Sequence, residues 1–152
     1  MPASLARLLR PDRVGVGISA ASKAEALDAV LELVARQPGV ADPARLAVDV
    51  AAREALLSTG VGDGLALPHA RTTAVTETVM AVCTLAEPVG WDAIDGVPVD
   101  LVVLFAGPEA ARATHVQLLA HVSRVLSRAS VRREMSEAST PEALLAVLVA
   151  SE

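Results

Sequence analysis

The stretch Val99-Asp100-Leu101-Val102-Val103-Leu104-Phe105 is the strongest indicator of the fold, because six of its seven residues are apolar. A short apolar run rich in β-branched residues is typical of a strand that is covered on both faces. Gly107-Pro108 ends the run shortly afterwards. The stretch therefore predicts a central strand in a sheet that carries helices on both sides.

Three other segments have the composition of strands. In the first of them Val14, Val16 and Ile18 alternate with glycine, and a period of two is the pattern of a strand. The segment Gly60–Gly64 precedes the second and is predicted to be a flexible bend, since glycine tolerates unusual backbone angles. The three predicted strands are Arg13–Ser19, Leu65–Leu67 and Glu77–Leu85.

Helix-start signals divide much of the remaining chain. Ser22 and Glu25 form the Ser-x-x-Glu pattern of a capping box, and Asp42-Pro43 resembles an N-cap followed by proline at the first helical position. The predicted helices run from Ser22 to about Arg36, from Pro43 to about Ser58, from Ala113 to Arg128, from Ser130 to Glu137 and from Thr140 to Val149. This interleaving of strands and helices predicts an α/β fold, a single-domain three-layer sandwich over residues 1–152 with helices on both faces of a mixed sheet.

The helix Ala113–Arg128 is amphipathic. We expect the stripe formed by Val116, Leu119, Val122 and Leu126 to face the sheet, because these residues recur at helical spacing. His115 lies in the first turn of this helix, where backbone N–H groups and the helix dipole favour an anion.

Composition narrows the functional classes. Apolar residues make up 53% of the 152 residues and the mean hydropathy is +0.48, but no window of about 18 uncharged apolar residues exists that would span a membrane. The N-terminal stretch lacks the long apolar region of a signal peptide, and the single Cys83 fits a reducing compartment. We therefore expect a cytoplasmic protein without direct membrane insertion. The net charge of −5 argues against nucleic acid as a partner.

No pattern in the sequence predicts a metal or a cofactor. His69, His115 and His121 do not form a closely spaced ligand pair, and no Cys/His cluster accompanies them. The glycines of Gly60–Gly64 lack the third glycine, the preceding strand and the following helix of a dinucleotide-binding loop. We therefore expect neither a metal site nor a bound cofactor.

Two histidines are the residues of the chain that are best suited to take part in a reaction. His69 follows Pro68, which restricts the backbone ahead of it, and an imidazole held in this way can act as a ligand, a base or a nucleophile. From the residues alone, His69 could equally be a turn residue and His115 a polar residue at a helix start. Arg53 could be a solvated helix residue, and His121 is expected to be structural or on the surface.

Three stretches together resemble one protein family. They are Arg53-Glu54-Ala55-Leu56-Leu57-Ser58-Thr59-Gly60-Val61-Gly62-Asp63-Gly64-Leu65-Ala66-Leu67-Pro68-His69, Trp91-Asp92-Ala93-Ile94-Asp95-Gly96-Val97-Pro98-Val99-Asp100-Leu101-Val102, and His115-Val116-Gln117-Leu118-Leu119. They are similar to the fructose/mannitol-type IIA domains of the bacterial phosphotransferase system (PTS), including the nitrogen-regulatory IIA branch. The resemblance covers about residues 5–150.

The resemblance implies a phosphotransferase subunit that forms a transient phosphohistidine. His69 matches the histidine that accepts a phosphoryl group from an HPr-like phosphocarrier protein, and the group then passes to a IIB partner. His115 matches a second histidine beside it, and Arg53 matches an arginine near the site. Ala70 stands where relatives usually have glycine, and the role of Asp63 is left open.

The resemblance leaves two roles open. In the first, the chain serves a sugar permease; in the second, its phosphorylation state controls binding to regulatory protein targets. The sugar and the phosphorylated ring nitrogen of His69 also stay open. We expect the rings of His69 and His115 to lie within hydrogen-bond reach or one bridging water of each other. A shallow, mostly apolar docking patch should surround His69, with Val61, Leu65 and Ala70 at its rim.

Overall fold

A computed structural model describes residues 4–152 and contains one six-stranded mixed sheet. The strands pair in the order β1-β5-β6-β3-β2, and β4 also pairs with β6. Strand β5 is antiparallel to β6, whereas β3 and β4 run parallel to β6. The strand bounds are β1 Val14–Ile18, β2 Gly60–Gly62, β3 Leu65–Ala66, β4 His69–Arg71, β5 Val79–Val89 and β6 Val99–Gly107.

Strand β6 is the centre of the sheet, as its apolar sequence predicts. It has strand neighbours on both edges, and Leu101–Phe105 are at most 1% exposed. Val102 and Leu104 pack into one hydrophobic cluster, while Val103 and Phe105 pack into the other. Both faces of the strand are therefore covered.

In the described part of the chain, residues 4–152, six helices flank the sheet. Their bounds are α1 Leu5–Leu8, α2 Lys23–Ala35, α3 Pro43–Leu56, α4 Arg112–Leu126, α5 Ala129–Glu137 and α6 Pro141–Ser151. Apolar residues of α2 and α3 cover one face, and those of the other four helices cover the opposite face. The predicted α/β three-layer sandwich is therefore confirmed. No helix within residues 4–152 is both long and apolar enough to cross a membrane.

Three predicted N-caps form. The side chains of Ser22, Asp42 and Thr140 accept hydrogen bonds from the backbone N–H groups three residues later, at 3.2, 3.0 and 3.1 Å. Each bond satisfies an N–H group that has no partner inside its helix. These local signals explain why the starts of α2, α3 and α6 could be predicted well.

The predicted inward stripe of α4 is confirmed for Val122 and Leu126, each 1% exposed, and Leu119 packs against the same cluster, but the prediction is wrong for Val116. The buried residues of α4 include Leu118 and Val122, whereas Val116 is 56% exposed. Val116 and Leu118 differ by about 200° around a helix, so they cannot both face the sheet. The true stripe begins with His115, which is three residues before Leu118 and therefore lies beside it, facing the sheet.

Other differences lie around Gly60–Gly64. This segment forms β2 and the turn that follows it, and β2 pairs antiparallel with β3. Gly62, Asp63 and Gly64 all have positive φ angles in the turn. Helix α3 ends at Leu56, before the predicted end near Ser58, and Leu57 is 71% exposed. Four further features escaped prediction: α1, a 3-10 turn at Pro11–Arg13, strand β4 and the extension of β5 to Val89.

Candidate functional site

A cavity of about 320 Å³ opens where α3, β4 and α4 meet. It contains all three site residues predicted from the sequence, although they are up to 62 positions apart in the chain. The lining residues are Asp49, Arg53, His69, Ala70, Arg71 and His115.

The ring of His69 is held from below by the sheet. His69 begins β4 and pairs with Phe105 of β6, while the N–H of Phe105 donates to the carbonyl of Pro68 at 3.1 Å. The two rings are stacked, with centroids 5.3 Å apart and planes 10° from parallel. Backbone pairing and stacking together restrict both the position and the tilt of the imidazole.

A hydrogen bond fixes which ring nitrogen of His69 has a free lone pair. Nδ1 lies 2.8 Å from the carbonyl oxygen of Leu67. A carbonyl can only accept, so Nδ1 carries the proton and Nε2 does not in the neutral ring. Burial, together with the charge of Arg53, lowers the pKa of His69, and the Leu67 carbonyl and Glu54 only partly oppose this. The ring is therefore neutral at pH 7, with Nε2 available as a nucleophile.

His115 lies directly beside this ring. It is the fourth residue of α4, it is 8% exposed, and its ring centroid is 5.4 Å from that of His69 and 5.1 Å from that of Phe105. Burial, with the nearby His69 and the positive charge of Arg71, lowers the pKa of His115 to about 4. His115 is therefore neutral under physiological conditions.

The His115 ring is not tied by hydrogen bonds as the His69 ring is. Its Nδ1 atom is buried and, within residues 4–152, has no hydrogen-bond partner. No hydrogen bond joins the two imidazoles in this part of the chain, but their centroid separation agrees with the predicted proximity. An unpaired buried nitrogen is costly, and such atoms are found where a group is used for chemistry or ligand binding.

Arg53 reaches the cavity from the last turn of α3. One guanidinium nitrogen donates to the carbonyl of Leu57 at 2.9 Å, which leaves other N–H groups of its planar fork free for an anion. The positive charge of Arg53 helps to lower the pKa of His69. The predicted convergence of Arg53 with the two histidines is therefore present in the structure.

The neighbouring Glu54 has a structural role that sequence reasoning missed. Its carboxylate, 7% exposed, accepts hydrogen bonds from Thr59 and from the indole of Trp91 and forms an ion pair with Lys23 at 2.8 Å. Burial raises the pKa of Glu54, but the bonds from Lys23 and Thr59 outweigh this and hold it below its usual value. These contacts join α2, α3 and the segments that carry Thr59 and Trp91.

Two more cavity residues escaped prediction. Arg71 follows His69 by two residues in β4, and Asp49 precedes Arg53 by one turn of α3. Asp49 accepts a hydrogen bond from Thr72 at 2.5 Å, which connects α3 to the end of β4. The alternation of a strand would have placed Arg71 on the side of His69, had the sequence indicated that His69 begins a strand.

The predicted rim of a docking patch needs correction. Leu65 is 4% exposed and Ala70 is 6% exposed, so neither can offer apolar surface to a partner. Leu65 lies between two other strands, and Ala70 alternates with His69 and therefore faces the opposite side of β4. Val61 is 52% exposed as expected, and Leu56 and Leu57 are 82% and 71% exposed.

The remaining reactive groups lie apart from the cavity lining. Cys83 is fully buried, and burial raises the pKa of its thiol to about 12, so it is not a nucleophile. Asp63 lies in the exposed turn between β2 and β3, where it pairs with Arg132 at 3.7 Å. Within residues 4–152, no group of three or more His, Cys, Asp or Glu side chains could hold a metal ion.

Comparison with known proteins gives one consistent result. The family model "Phosphoenolpyruvate-dependent sugar phosphotransferase system, EIIA 2" matches residues 7–151. A nitrogen regulatory protein of Pseudomonas aeruginosa is 39% identical over 95% of this chain and 94% of its own length. The 2-O-alpha-mannosyl-D-glycerate-specific EIIABC component of Escherichia coli is 37% identical over 95% of this chain but only 22% of its own length.

The fold agrees with a solved structure of a similar protein. The crystal structure of the nitrogen regulatory protein IIA-Ntr from Neisseria meningitidis superposes with a TM-score of 0.87. It is 30% identical in sequence, and the match covers 93% of this chain and 97% of that one.

Proposed function

Since the chain belongs to the EIIA type 2 family of the phosphoenolpyruvate-dependent sugar phosphotransferase system, we propose that it is a cytoplasmic phosphocarrier. In this proposal His69 accepts a phosphoryl group from an HPr-like phosphocarrier protein and passes it to a IIB partner. The observation that carries the proposal is the neutral, stacked ring of His69, with Nδ1 bonded to Leu67 and Nε2 free.

We assign the phosphoryl group to Nε2 of His69. The lone pair of Nε2 attacks phosphorus in line, the bond from phosphorus to the donor atom breaks, and its electron pair returns to the donor. The proton stays on Nδ1, so the phosphorylated ring carries positive charge. The Leu67 carbonyl stabilises that charge, because its hydrogen bond becomes charge-assisted.

His115 and Arg53 stabilise the transferred group in different ways. A neutral imidazole has one N–H, so His115 can donate a hydrogen bond to a phosphoryl oxygen without forming an ion pair with it. Arg53 supplies a permanent positive charge and a planar donor fork that suits phosphate oxygens. Both residues stabilise the group without a covalent bond to it, so the group can still pass onward.

A regulatory role is the second candidate. It is supported by the 39% identity to a nitrogen regulatory protein, which extends over 94% of that protein. Under this alternative the same phosphorylation at His69 controls binding to regulatory target proteins. The two roles share the chemistry of the first step and differ in the use that is made of the phosphorylated protein.

The first experiment tests the step that both roles share. Incubation with Enzyme I, the HPr-like donor and phosphoenolpyruvate should add one acid-labile, base-stable phosphoryl group to the wild-type protein. His69→Ala should take up none, and His121→Ala, which changes a histidine outside the cavity, should take up one. Stoichiometric labelling of His69→Ala would show that the proposal is wrong.

A second measurement separates the two roles. Purified phosphoprotein is mixed with the IIB proteins of the same organism, and loss of label from the chain is followed. Rapid transfer to a IIB protein supports the transport role. If no IIB protein accepts the group and only the unphosphorylated chain binds a defined regulatory protein, the regulatory role replaces it.

A further inference from the structure

Among the residues that line the cavity, Arg71 is the positively charged one to which the proposed mechanism gives no task. It is the last residue of β4, and His69 is the first. Side chains alternate along a strand, so Arg71 and His69 project to the same side, whereas the buried Ala70 between them projects to the other. Arg71 therefore reaches the cavity from the same strand as the proposed phosphoacceptor.

The backbone of Arg71 is firmly held. Arg71 pairs with Gly107 of β6, and the next residue, Thr72, donates its N–H to the carbonyl of Gly107 at 2.9 Å. The hydroxyl of Thr72 donates to Asp49 of α3. The side chain of Arg71 thus starts from a fixed point, which reduces the entropy that would be lost when it binds an anion.

The guanidinium of Arg71 has unused capacity. One nitrogen donates to the carbonyl of Glu109 at 3.3 Å, just ahead of α4, out of five N–H groups in the side chain. Within residues 4–152 it forms no ion pair with a carboxylate, in contrast to Arg45 and Arg132. Its positive charge nevertheless reaches the site, since it helps to lower the pKa of His115.

We propose that Arg71 is a second phosphoryl-binding residue, whose guanidinium contacts an oxygen of the phosphoryl group on His69. The inference rests on the proposed phosphorylation of His69. Arg53 approaches the group from α3 and Arg71 from β4, so two guanidinium groups from different elements share the charge of the three phosphoryl oxygens.

Two arginines suit the charge change of the reaction. A phosphoryl group on a side chain itself carries about −1.5 to −2 charges at pH 7, and the positively charged ring of phosphorylated His69 offsets only part of this. With His69 and His115 neutral in the free protein, the charged groups facing the cavity are Arg53, Arg71 and Asp49, the last also paired with Arg45. A single arginine would leave the phosphoryl group of the phosphoprotein incompletely neutralised beside the Asp49 carboxylate.

The proposal is tested on the phosphoprotein by ³¹P NMR. Wild type, Arg71→Gln and Arg71→Lys are each phosphorylated with Enzyme I and the HPr-like donor, and the phosphoryl resonance is titrated with pH. Removing a contacting cation makes the phosphoryl group easier to protonate, so Arg71→Gln should raise its pKa by at least about half a unit. Arg71→Lys should restore most of that shift, because it keeps the charge.

Arg133→Gln is the matched control. Arg133 is an exposed arginine of α5 that does not line this cavity, so its loss makes the same change in net charge without touching the site. Its phosphoryl pKa should equal that of the wild type. The rate of phosphoryl uptake should fall about tenfold in Arg71→Gln, as expected for loss of a partly exposed charge-assisted contact, and stay unchanged in the control.

The outcomes separate this inference from the proposed function. If the wild type acquires no phosphohistidine, the proposed function fails. If it does, but the phosphoryl pKa of Arg71→Gln equals that of the wild type, Arg71 does not contact the group and the inference is overturned. That holds even where uptake is slower, because a slower rate with an unchanged pKa marks Arg71 as a contact to the donor protein.

Discussion

Helix α4 carries two histidines with opposite surroundings. Both ring nitrogens of His121 have partners, since Nε2 lies 2.9 Å from Glu152 and Nδ1 lies 3.0 Å from Arg124. His115, six residues earlier, is buried beside His69, and its Nδ1 has no partner within residues 4–152. The hydrogen-bond partners of a histidine ring, and not the residue type alone, therefore decide whether the ring remains available for chemistry.

The physical difference is where the hydrogen-bonding capacity goes. At His121 it is used to connect α4 with the C-terminal residue, which also accepts the backbone N–H of Leu5 at 2.7 Å. At His115 the buried Nδ1 atom makes no hydrogen bond within residues 4–152, which costs free energy. Changes at His115 should therefore affect phosphoryl transfer, and changes at His121 should affect stability.

The largest effect should come from His115→Ala. Loss of one preorganised hydrogen-bond donor commonly costs about a hundredfold in rate, and we expect this drop in phosphoryl transfer from the chain to a IIB acceptor. The measurement is single-turnover decay of labelled phosphoprotein, with circular dichroism to verify that the variant folds normally. A transfer rate within about threefold of wild type would mean that the His115 ring has no role in transfer.

Glu54→Gln should lower the stability of the protein at neutral pH. The substitution keeps the size of the side chain but removes the charge that pairs with Lys23 inside the protein. Breaking a buried ion pair typically costs 3–5 kcal/mol. Because Lys23 is partly exposed and also donates to the carbonyl of Trp91, we expect about 2 kcal/mol, measured by urea denaturation. Glu32→Gln, at an exposed position of α2, is the control and should change little.

The low pKa of His115 also makes stability depend on pH. Burial holds this pKa at about 4 in the folded protein, whereas an unfolded histidine has a pKa of about 6.5. Between these values the unfolded chain binds a proton that the folded chain does not, so the free energy of unfolding falls as pH is lowered. Above about pH 6.5 His115 does not lower the free energy of unfolding. At pH 4 its contribution makes that free energy about 3 kcal/mol lower than at neutral pH.

His115→Ala isolates this contribution. Carboxylates with lowered pKa values, such as Glu54, destabilise wild type and variant alike at low pH, so the difference between the two curves belongs to His115. Urea denaturation at several pH values from 7.5 to 4.5 measures it. Parallel curves for the two proteins would show that His115 is not a buried neutral imidazole.

Much of the fold could be predicted because its signals are local. The apolar run of β6 indicates a strand with two covered faces, and Ser22, Asp42 and Thr140 mark helix starts by bonds to residues three positions away. Such contacts are contained in a short window of sequence. The convergence of Arg53, His69 and His115 was anticipated from family resemblance, not from any local pattern.

The rest depends on contacts between distant segments. Arg71 could not be assigned to the cavity because the pairing of His69 with Phe105, which makes 69–71 a strand, joins segments 36 residues apart. Glu54 looks like an ordinary helix glutamate until Lys23 and Trp91 approach it. The inward placement of Val116 failed for a related reason: Val116 fits the apolar spacing, but packing against the sheet buries Leu118 instead.

The smallest effect should come from His121→Ala, which tests the other histidine of α4. The substitution removes the bonds to Glu152 and Arg124, but Glu152 still accepts hydrogen bonds from Ser4, Leu5 and Ala6 and so stays attached to the start of α1. Pairs near the surface are typically worth up to about 1 kcal/mol, and we expect a loss of about 0.5–1 kcal/mol by urea denaturation at pH 7.5. Phosphoryl uptake and transfer should equal those of the wild type, because His121 lines no part of the cavity. If transfer instead slowed by tenfold or more with stability unchanged, hydrogen-bond occupancy of the ring would not distinguish the two histidines, and the contrast drawn within α4 would fail.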